Sequence, residues 1–246
     1  LKTISDFDFE SLIDVGSGTG AASLACFMHY PFKTSYALER EKAMRDLGKR
    51  LLDSMAFGSK INWQAFDLTK DMLTLQADCV IESYMLNEFN DQDLYQSLDQ
   101  LYQASKQVLI LVEPGTKKGF ALLKKARHYL IEKGGYILAP CGCNCICELN
   151  DEDWCHFSQR VARSKLHKIV KEADVPYEDE KYAYLVVSKE NINCNYARIL
   201  RHPYITKGRI DVEYCYQGKI NSKVFIKKDA LYKQVRKKNW GDPIEL

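Results

Sequence analysis

A short apolar run, Ser11-Leu-Ile-Asp-Val15, ends directly in Gly16-Ser-Gly-Thr-Gly20, and small residues, Ala21-Ala-Ser-Leu-Ala25, follow at once. That order reads as strand, tight turn and helix, the opening unit of a doubly wound α/β sheet. Glycines in such a turn let the backbone approach a ligand closely, and the helix start behind them favours negative charge. No lysine follows the turn, which excludes a phosphate-cradling nucleotide loop. The GxGxG spacing, with Asp14 just before it, fits S-adenosylmethionine better than a dinucleotide.

The next strands reinforce this reading. Thr34-Ser-Tyr-Ala-Leu38 ends at Glu39, an acid placed to hydrogen-bond both hydroxyls of a ribose. Ile61-Asn-Trp-Gln-Ala-Phe66 ends at Asp67, positioned for an adenine amino group. Ala77–Ile81 and Gln107–Val112 read as the fourth and fifth strands, the latter running into Glu113-Pro-Gly. The candidate cofactor residues are therefore Asp14, Gly16, Gly18, Gly20, Glu39 and Asp67. The ordinary alternative for each acid is a helix cap or a surface charge.

A reaction centre is harder to find. The segment after the fourth strand, Glu82-Ser-Tyr-Met-Leu-Asn-Glu88, has no Asn/Asp-Pro-Pro-aromatic clamp for an exocyclic amine. Cys79 lies inside an apolar strand, where packing is the expected role rather than nucleophilic attack. Tyr84 and Glu88 are the side chains nearest a substrate position, and no catalytic residue is assigned.

Cys141-Gly-Cys-Asn-Cys-Ile-Cys147 and Cys155 place five of the nine cysteines within fifteen residues. Without a secretory signal, that density points to a reducing compartment and to metal ligation rather than disulfides. Alternate residues of an extended strand would line one face without converging, so the segment is expected to loop. The bare spacing permits zinc or iron–sulfur, with some thiols as ligands and others as bystanders.

A wider set of residues carries a family resemblance. Cys141-x5-Cys147, Asp153-Trp-Cys-His-Phe-Ser-Gln-Arg160 and Tyr177-Glu-Asp-Glu-Lys-Tyr-Ala-Tyr184 belong to it, as do Arg198-Ile-Leu-Arg-His-Pro203, Cys215 and Lys237-Lys-Asn-Trp-Gly-Asp242. Together they resemble the ribosomal small-subunit methyltransferase-like family, which comprises the methyltransferase-like assembly factor of the mitochondrial small ribosomal subunit and its bacterial relatives. The resemblance implies a 4Fe-4S cluster held by Cys141, Cys147, Cys155 and Cys215, with zinc as the alternative metal. It also implies small-subunit rRNA and ribosomal proteins as partners, in a chain monomeric when free. This sequence departs from the family in having Gly142-Cys143 after the first ligand and Glu148 after the second, where Pro-His and Pro are usual. It also lacks the family's helical region ahead of the glycine loop.

The expected fold is α/β: a Rossmann-like class I S-adenosylmethionine-dependent methyltransferase fold over residues 1–190, with a cysteine-rich metal loop at 139–157. Residues 191–246 form a basic C-terminal extension, a small antiparallel β unit whose hairpin turns at Gln217-Gly218, followed by a helix from Asp229 to Lys238. The net charge of +2 conceals this asymmetry, since the extension holds most of the excess Lys and Arg. Lys227, Lys228, Lys233, Arg236, Lys237 and Lys238 are the candidate RNA contacts. Arg160, Arg163, Lys165, His167 and Lys168 recur near helical spacing, and Glu178–Lys181 reads as a loop leading into a strand at 182–187.

No apolar run approaches membrane-spanning length, and Leu1–Asp8 is too polar for a signal peptide. The chain does not begin with Met, so a targeting segment upstream stays open. The compact loops and the run from Arg160 to His167 favour a bacterial cytoplasmic member slightly over one of the mitochondrial matrix. Two functions compete: a methyltransferase acting on small-subunit rRNA, and a binding factor that keeps the fold without transferring methyl groups. In the binding factor the metal site is structural or redox-sensing.

Overall fold

The computed structural model describes residues 7–150, 152–172, 174–192 and 196–245; the first six residues, part of the segment read for a leader, lie outside that set. Strands β1 (Ser11–Val15), β2 (Thr34–Leu38), β3 (Ile61–Gln64), β4 (Ala77–Ser83) and β5 (Ser105–Pro114) are parallel. Helices α1 (Ala21–Phe27), α2 (Lys42–Leu52), α3 (Asp91–Ala104) and α4 (Lys117–Glu132) punctuate them. Then come β6 (Tyr136–Ala139), β7 (Phe157–Ala162), α5 (Lys165–Val170) and β8 (Tyr177–Ser188). The eight strands lie in the order β3-β2-β1-β4-β5-β8-β6, with β7 also paired to β8 and with β8 antiparallel to β5, β6 and β7.

Successive strand residues face opposite sides, and both sides of this sheet are covered. Ile13, Val80, Leu109 and Leu111 enter one core, while Leu12, Cys79, Val108 and Ile110 enter the other. Double coverage is why these strands are continuous apolar runs. Helix starts are fixed locally: Asn90 accepts from the Asp93 N–H at 3.0 Å, and Thr116 from the Gly119 N–H at 3.1 Å. The order reverses between β1 and β4, so a crevice is expected beyond the carboxyl ends of those strands.

The C-terminal segment builds a second sheet: β9 (Ala197–Ile199), β10 (Tyr204–Thr206), β11 (Arg209–Tyr216), β12 (Lys219–Ile226) and β13 (Pro243–Ile244). It has its own core, centred on Ile199, Ile210, Val212 and Phe225. The turn between β11 and β12 is at Gln217-Gly218 as expected, with both residues at positive φ.

Three expectations are corrected. The helix expected over 229–238 is a single turn, α6 (Tyr232–Val235), because Asn239, Gly241 and Asp242 fold the chain back to pair β13 with β9. Residues 178–181 are not a loop but the first half of β8, which pairs with β7. Arg160 and Asp179 sit directly opposite each other there and form a bidentate ion pair at 2.7 and 2.8 Å. Finally, Arg160 lies on β7 rather than on a helix, and α5 begins only at Lys165. This strand extension stands outside the core, so charge pairs replace the apolar alternation that would have announced it.

Candidate cofactor cleft and thiol site

A cleft of about 230 Å³ opens at the ends of β1, β2 and β4, bordered by Gly16, Glu39, Asp67, Tyr84, Met85 and Glu88 among others. Glu39 forms one wall, and its two oxygens accept from the Gly18 N–H at 2.9 Å and the Glu41 N–H at 2.8 Å. This carboxylate shapes the glycine turn and still presents lone pairs to the cleft. Asp67 lies on the cleft wall and is held at a pKa of about 2, first by the Thr69 hydroxyl and then by Lys70. A buried-side carboxylate, an ionised carboxylate and a glycine with no Cβ fit the ribose, amino and backbone contacts of S-adenosylmethionine. A Cβ on Gly16 would stand 2.7 Å from the Met85 sulfur, so the turn and the β4 loop close on each other there.

Asp14, Gly18 and Gly20 do not border the cleft. Asp14 is fully buried beneath the turn, where one oxygen accepts from the Ser23 N–H at 2.9 Å and its hydroxyl at 2.7 Å. It pins the start of α1, and burial raises its pKa to about 6. Gly20, at φ +83, lies against Leu52 and Trp63 and serves packing.

Sequence reasoning missed a carboxylate pair at the ends of β4 and β5. Glu82 and Glu113 are both fully buried. Glu82 accepts from the N–H groups of Met85 and Leu86, and Glu113 from the Asn87 side chain at 3.0 Å. Burial raises both pKa values, and Glu82 is raised further by the neighbouring Glu113. The loop they tether includes Tyr84, a non-glycine residue at φ +64. The only hint in the sequence was an acid at each of two strand ends. Cys79 is buried within the sheet as expected.

The second site lies between the two sheets. Cys141, Cys147, Cys155 and Cys215 all line one cavity of about 50 Å³, whereas Cys143 and Cys145 do not. The loop carrying the first two is irregular and is held from three sides. Asn144 accepts from the Ile137 N–H of β6 and donates to the Gly135 carbonyl just before it, Arg127 on α4 donates to the carbonyls of Cys143 (2.8 Å) and Cys145 (2.6 Å), and the Glu148 N–H donates to the Gly218 carbonyl at 3.1 Å. Cys141 is drawn down to a pKa of about 6, chiefly by a hydrogen bond from Cys215 and secondarily by Arg127, while Cys215 is pushed up correspondingly. Burial raises Cys147 and Cys155. Among the described residues, no three His, Cys, Asp or Glu side chains gather closely enough to hold a single metal ion.

The cavity's charges were not legible beforehand. Lys124, Arg127 and Arg198 line it, and among the described residues no carboxylate does. Arg198, only 3% exposed, donates to the carbonyls of Pro140 and Gly241, both at 2.7 Å. Its remaining Nη2, like Nε of Arg127, is buried without a hydrogen-bond partner. Beside Cys155, Trp154 stacks on His156 at 4.9 Å, and Trp240 meets the same imidazole edge-on. The six candidate RNA-contact cations lie apart from both sites, in the turn after β12, on α6 and in the segment that follows it. Among the described residues none of the six is in an ion pair, and all but Lys238 are exposed.

Comparison with known proteins adds identity to this geometry. A family model described as mitochondrial small ribosomal subunit Rsm22 matches residues 1–245. Rsm22-cox11 tandem protein 2, mitochondrial, of Schizosaccharomyces pombe is 25% identical over 96% of this chain and 38% of its own length. Ribosome assembly protein METTL17, mitochondrial, of Homo sapiens is 24% identical over 74% of this chain and 42% of its own. The chain thus spans about two fifths of the length of these relatives. Among solved structures, a Pyrococcus horikoshii protein assigned to the RNA methyltransferases superposes with a TM-score of 0.50 at 14% identity, covering 76% of both chains. The fold is that of class I S-adenosylmethionine-dependent methyltransferases.

Proposed function

Because the chain belongs to the mitochondrial small ribosomal subunit Rsm22 family, we propose that it serves in assembly of the small ribosomal subunit. In this reading it engages rRNA while holding S-adenosylmethionine in the strand-end cleft and a 4Fe-4S cluster in the thiol cavity. One observation carries it: four thiols and three cations share a cavity that, among the described residues, has no carboxylate. Buried guanidinium N–H groups without partners are costly, and a cluster ligated by four thiolates is anionic, so it would satisfy them. A tetrahedral zinc needs its sulfurs drawn to about 2.3 Å from one point; thiols arranged round a cavity suit a polynuclear group better. Cys143 and Cys145 are then bystanders.

In the cleft, Glu39, Asp67 and Gly16 would hold S-adenosylmethionine, whose sulfonium supplies an electrophilic methyl group. Asp14, Gly18 and Gly20 act indirectly, by fixing the turn and the helix behind it. The binding-factor reading, without methyl transfer, is favoured by the strand ends. Glu82 is turned into the protein toward Glu113, and Cys79 is sealed in the sheet, so neither reaches the cleft as base or nucleophile. Lys227, Lys228, Lys233, Arg236, Lys237 and Lys238 are proposed as sequence-independent phosphate contacts. Ribosomal proteins are the further partners, and the free chain is proposed to be a monomer. The relatives' names favour the mitochondrial matrix over the bacterial cytoplasm expected from the loops. Among the described residues no helix is long and apolar enough to cross a membrane.

Anaerobic purification with visible absorption and metal analysis tests this reading. About four irons and four sulfides per chain are expected; one zinc and a colourless protein would overturn the cluster. Calorimetric titration with S-adenosylmethionine is expected to show binding that Glu39→Gln weakens about tenfold.

A further inference from the structure

A groove of about 1070 Å³ runs along the outer side of α4, closed opposite by the cysteine loop and Trp154. Among the described residues five cations border it, Lys117, Lys118, Lys124, Lys125 and Arg127, against two carboxylates. Asp153 is paired with Arg201 and Glu132 lies 3.2 Å from His128, while on the cationic side Lys125 is paired with Asp91 at 2.7 Å. The groove therefore presents net positive charge, with Lys117, Lys118 and Lys125 exposed along the helix. Aromatic surface accompanies the charge. The Trp154 indole is fixed by its N–H to the Gly115 carbonyl at 2.9 Å and by the His156 stack, while Lys117 rests over the ring at 5.6 Å, a contact a nucleobase can replace. Tyr95 and Tyr129, packed together at 4.8 Å, lie further along.

Cations that follow a backbone, beside a rigid aromatic platform, are how proteins hold single strands. A duplex exposes no base face to such a platform. We propose that this groove, rather than the C-terminal basic segment alone, seats a single-stranded RNA segment, with phosphates along Lys117, Lys118 and Lys125 and a base on Trp154. The inference rests on the rRNA-binding reading above and names its surface. It has a structural corollary: Lys124, Arg127 and Cys147 border both the groove and the thiol cavity. An RNA strand in the groove would cover that side of the thiol site.

The test is titration of the full chain with a single-stranded oligouridylate and with a duplex of equal length, followed by intrinsic tryptophan fluorescence across a salt series. Expected are preference for the single strand and quenching that Trp154→Leu abolishes while weakening affinity about tenfold. The triple variant Lys117→Glu/Lys118→Glu/Lys125→Glu should flatten the salt dependence by about two log units per log unit of salt. Circular dichroism confirms that each variant is folded. If the native chain binds no oligonucleotide, the rRNA-binding reading itself fails. If it binds and the triple variant binds equally while Lys233→Glu/Lys237→Glu does not, the RNA lies on the C-terminal segment and the groove assignment is overturned. Equal loss of RNA and of a polyglutamate competitor, with no effect of Trp154→Leu, would assign the groove to an acidic protein instead.

Discussion

Asp14 has one carboxylate oxygen bonded twice to Ser23 and the other bonded to nothing. Burial lifts its pKa from the usual 3.8 to about 6, so between those values the folded chain holds a proton that the unfolded chain has released. Stability from this residue therefore falls as pH rises through that window, by a total of about 3 kcal/mol. Asp14→Asn keeps an acceptor for Ser23 and cannot ionise, but it buries an amide N–H₂ without partners, which offsets part of the gain. The expected outcome is a shallower fall in stability between pH 4 and 6, measured by urea denaturation. The slope should not vanish, because burial raises Glu82 and Glu113 in the same direction. An unchanged slope would show that Asp14 is not the buried acid responsible. The residue was legible as an acid before a glycine turn; that it supports α1 instead of bordering the cleft was not, since Ser23 alone gives no signal of its partner.

At the scale of elements, the hairpin of β11 and β12 is what brings the two sheets to the thiol cavity. Its turn residue Gly218 sits at φ +79, and a Cβ there would stand 2.2 Å from the Ile146 carbonyl oxygen. Gly218→Ala should cost about 2–4 kcal/mol, combining left-handed strain with overpacking against backbone that cannot yield. It should also speed alkylation of Cys147, because the Glu148–Gly218 bond that seats the loop is lost. Wild-type stability together with wild-type labelling would dismiss that role. The parallel strands were readable because burial on both faces leaves continuous apolar runs, and the hairpin because Gln-Gly separates two alternating stretches. The extension of β7 and β8 was not readable: Arg160 opposite Asp179, and Arg163 near Glu178, stabilise it with pairs that resemble loop composition. For the same reason a lysine-rich stretch near the C-terminus looked helical when it is mostly turns.

Across the whole molecule, the thiol cavity is where distant parts of the chain meet. Thiols come from the loop after β6, from the approach to β7 and from β11; cations come from α4 and β9. The sequence revealed the cysteines through a resemblance, but Arg127 and Arg198 are ordinary residues on a helix and a strand, and only the fold brings them together. Cys155→Ser is nearly isosteric, so the apo fold should survive it. The expected result is loss of visible absorption and faster proteolysis within 196–245, matching wild-type protein stripped by an iron chelator. Native colour and native protease resistance in the variant would remove Cys155 from the site.

The position of Cys215 also imposes an order on synthesis. A chain still emerging from the ribosome can expose Cys141, Cys147 and Cys155 well before β11 and Arg198 have left the exit tunnel. The cavity is complete only once both later elements are free and docked. Whatever occupies it is thus acquired only after β9 and β11 have been made, and a chain terminated before them would carry three thiols that no fourth can close.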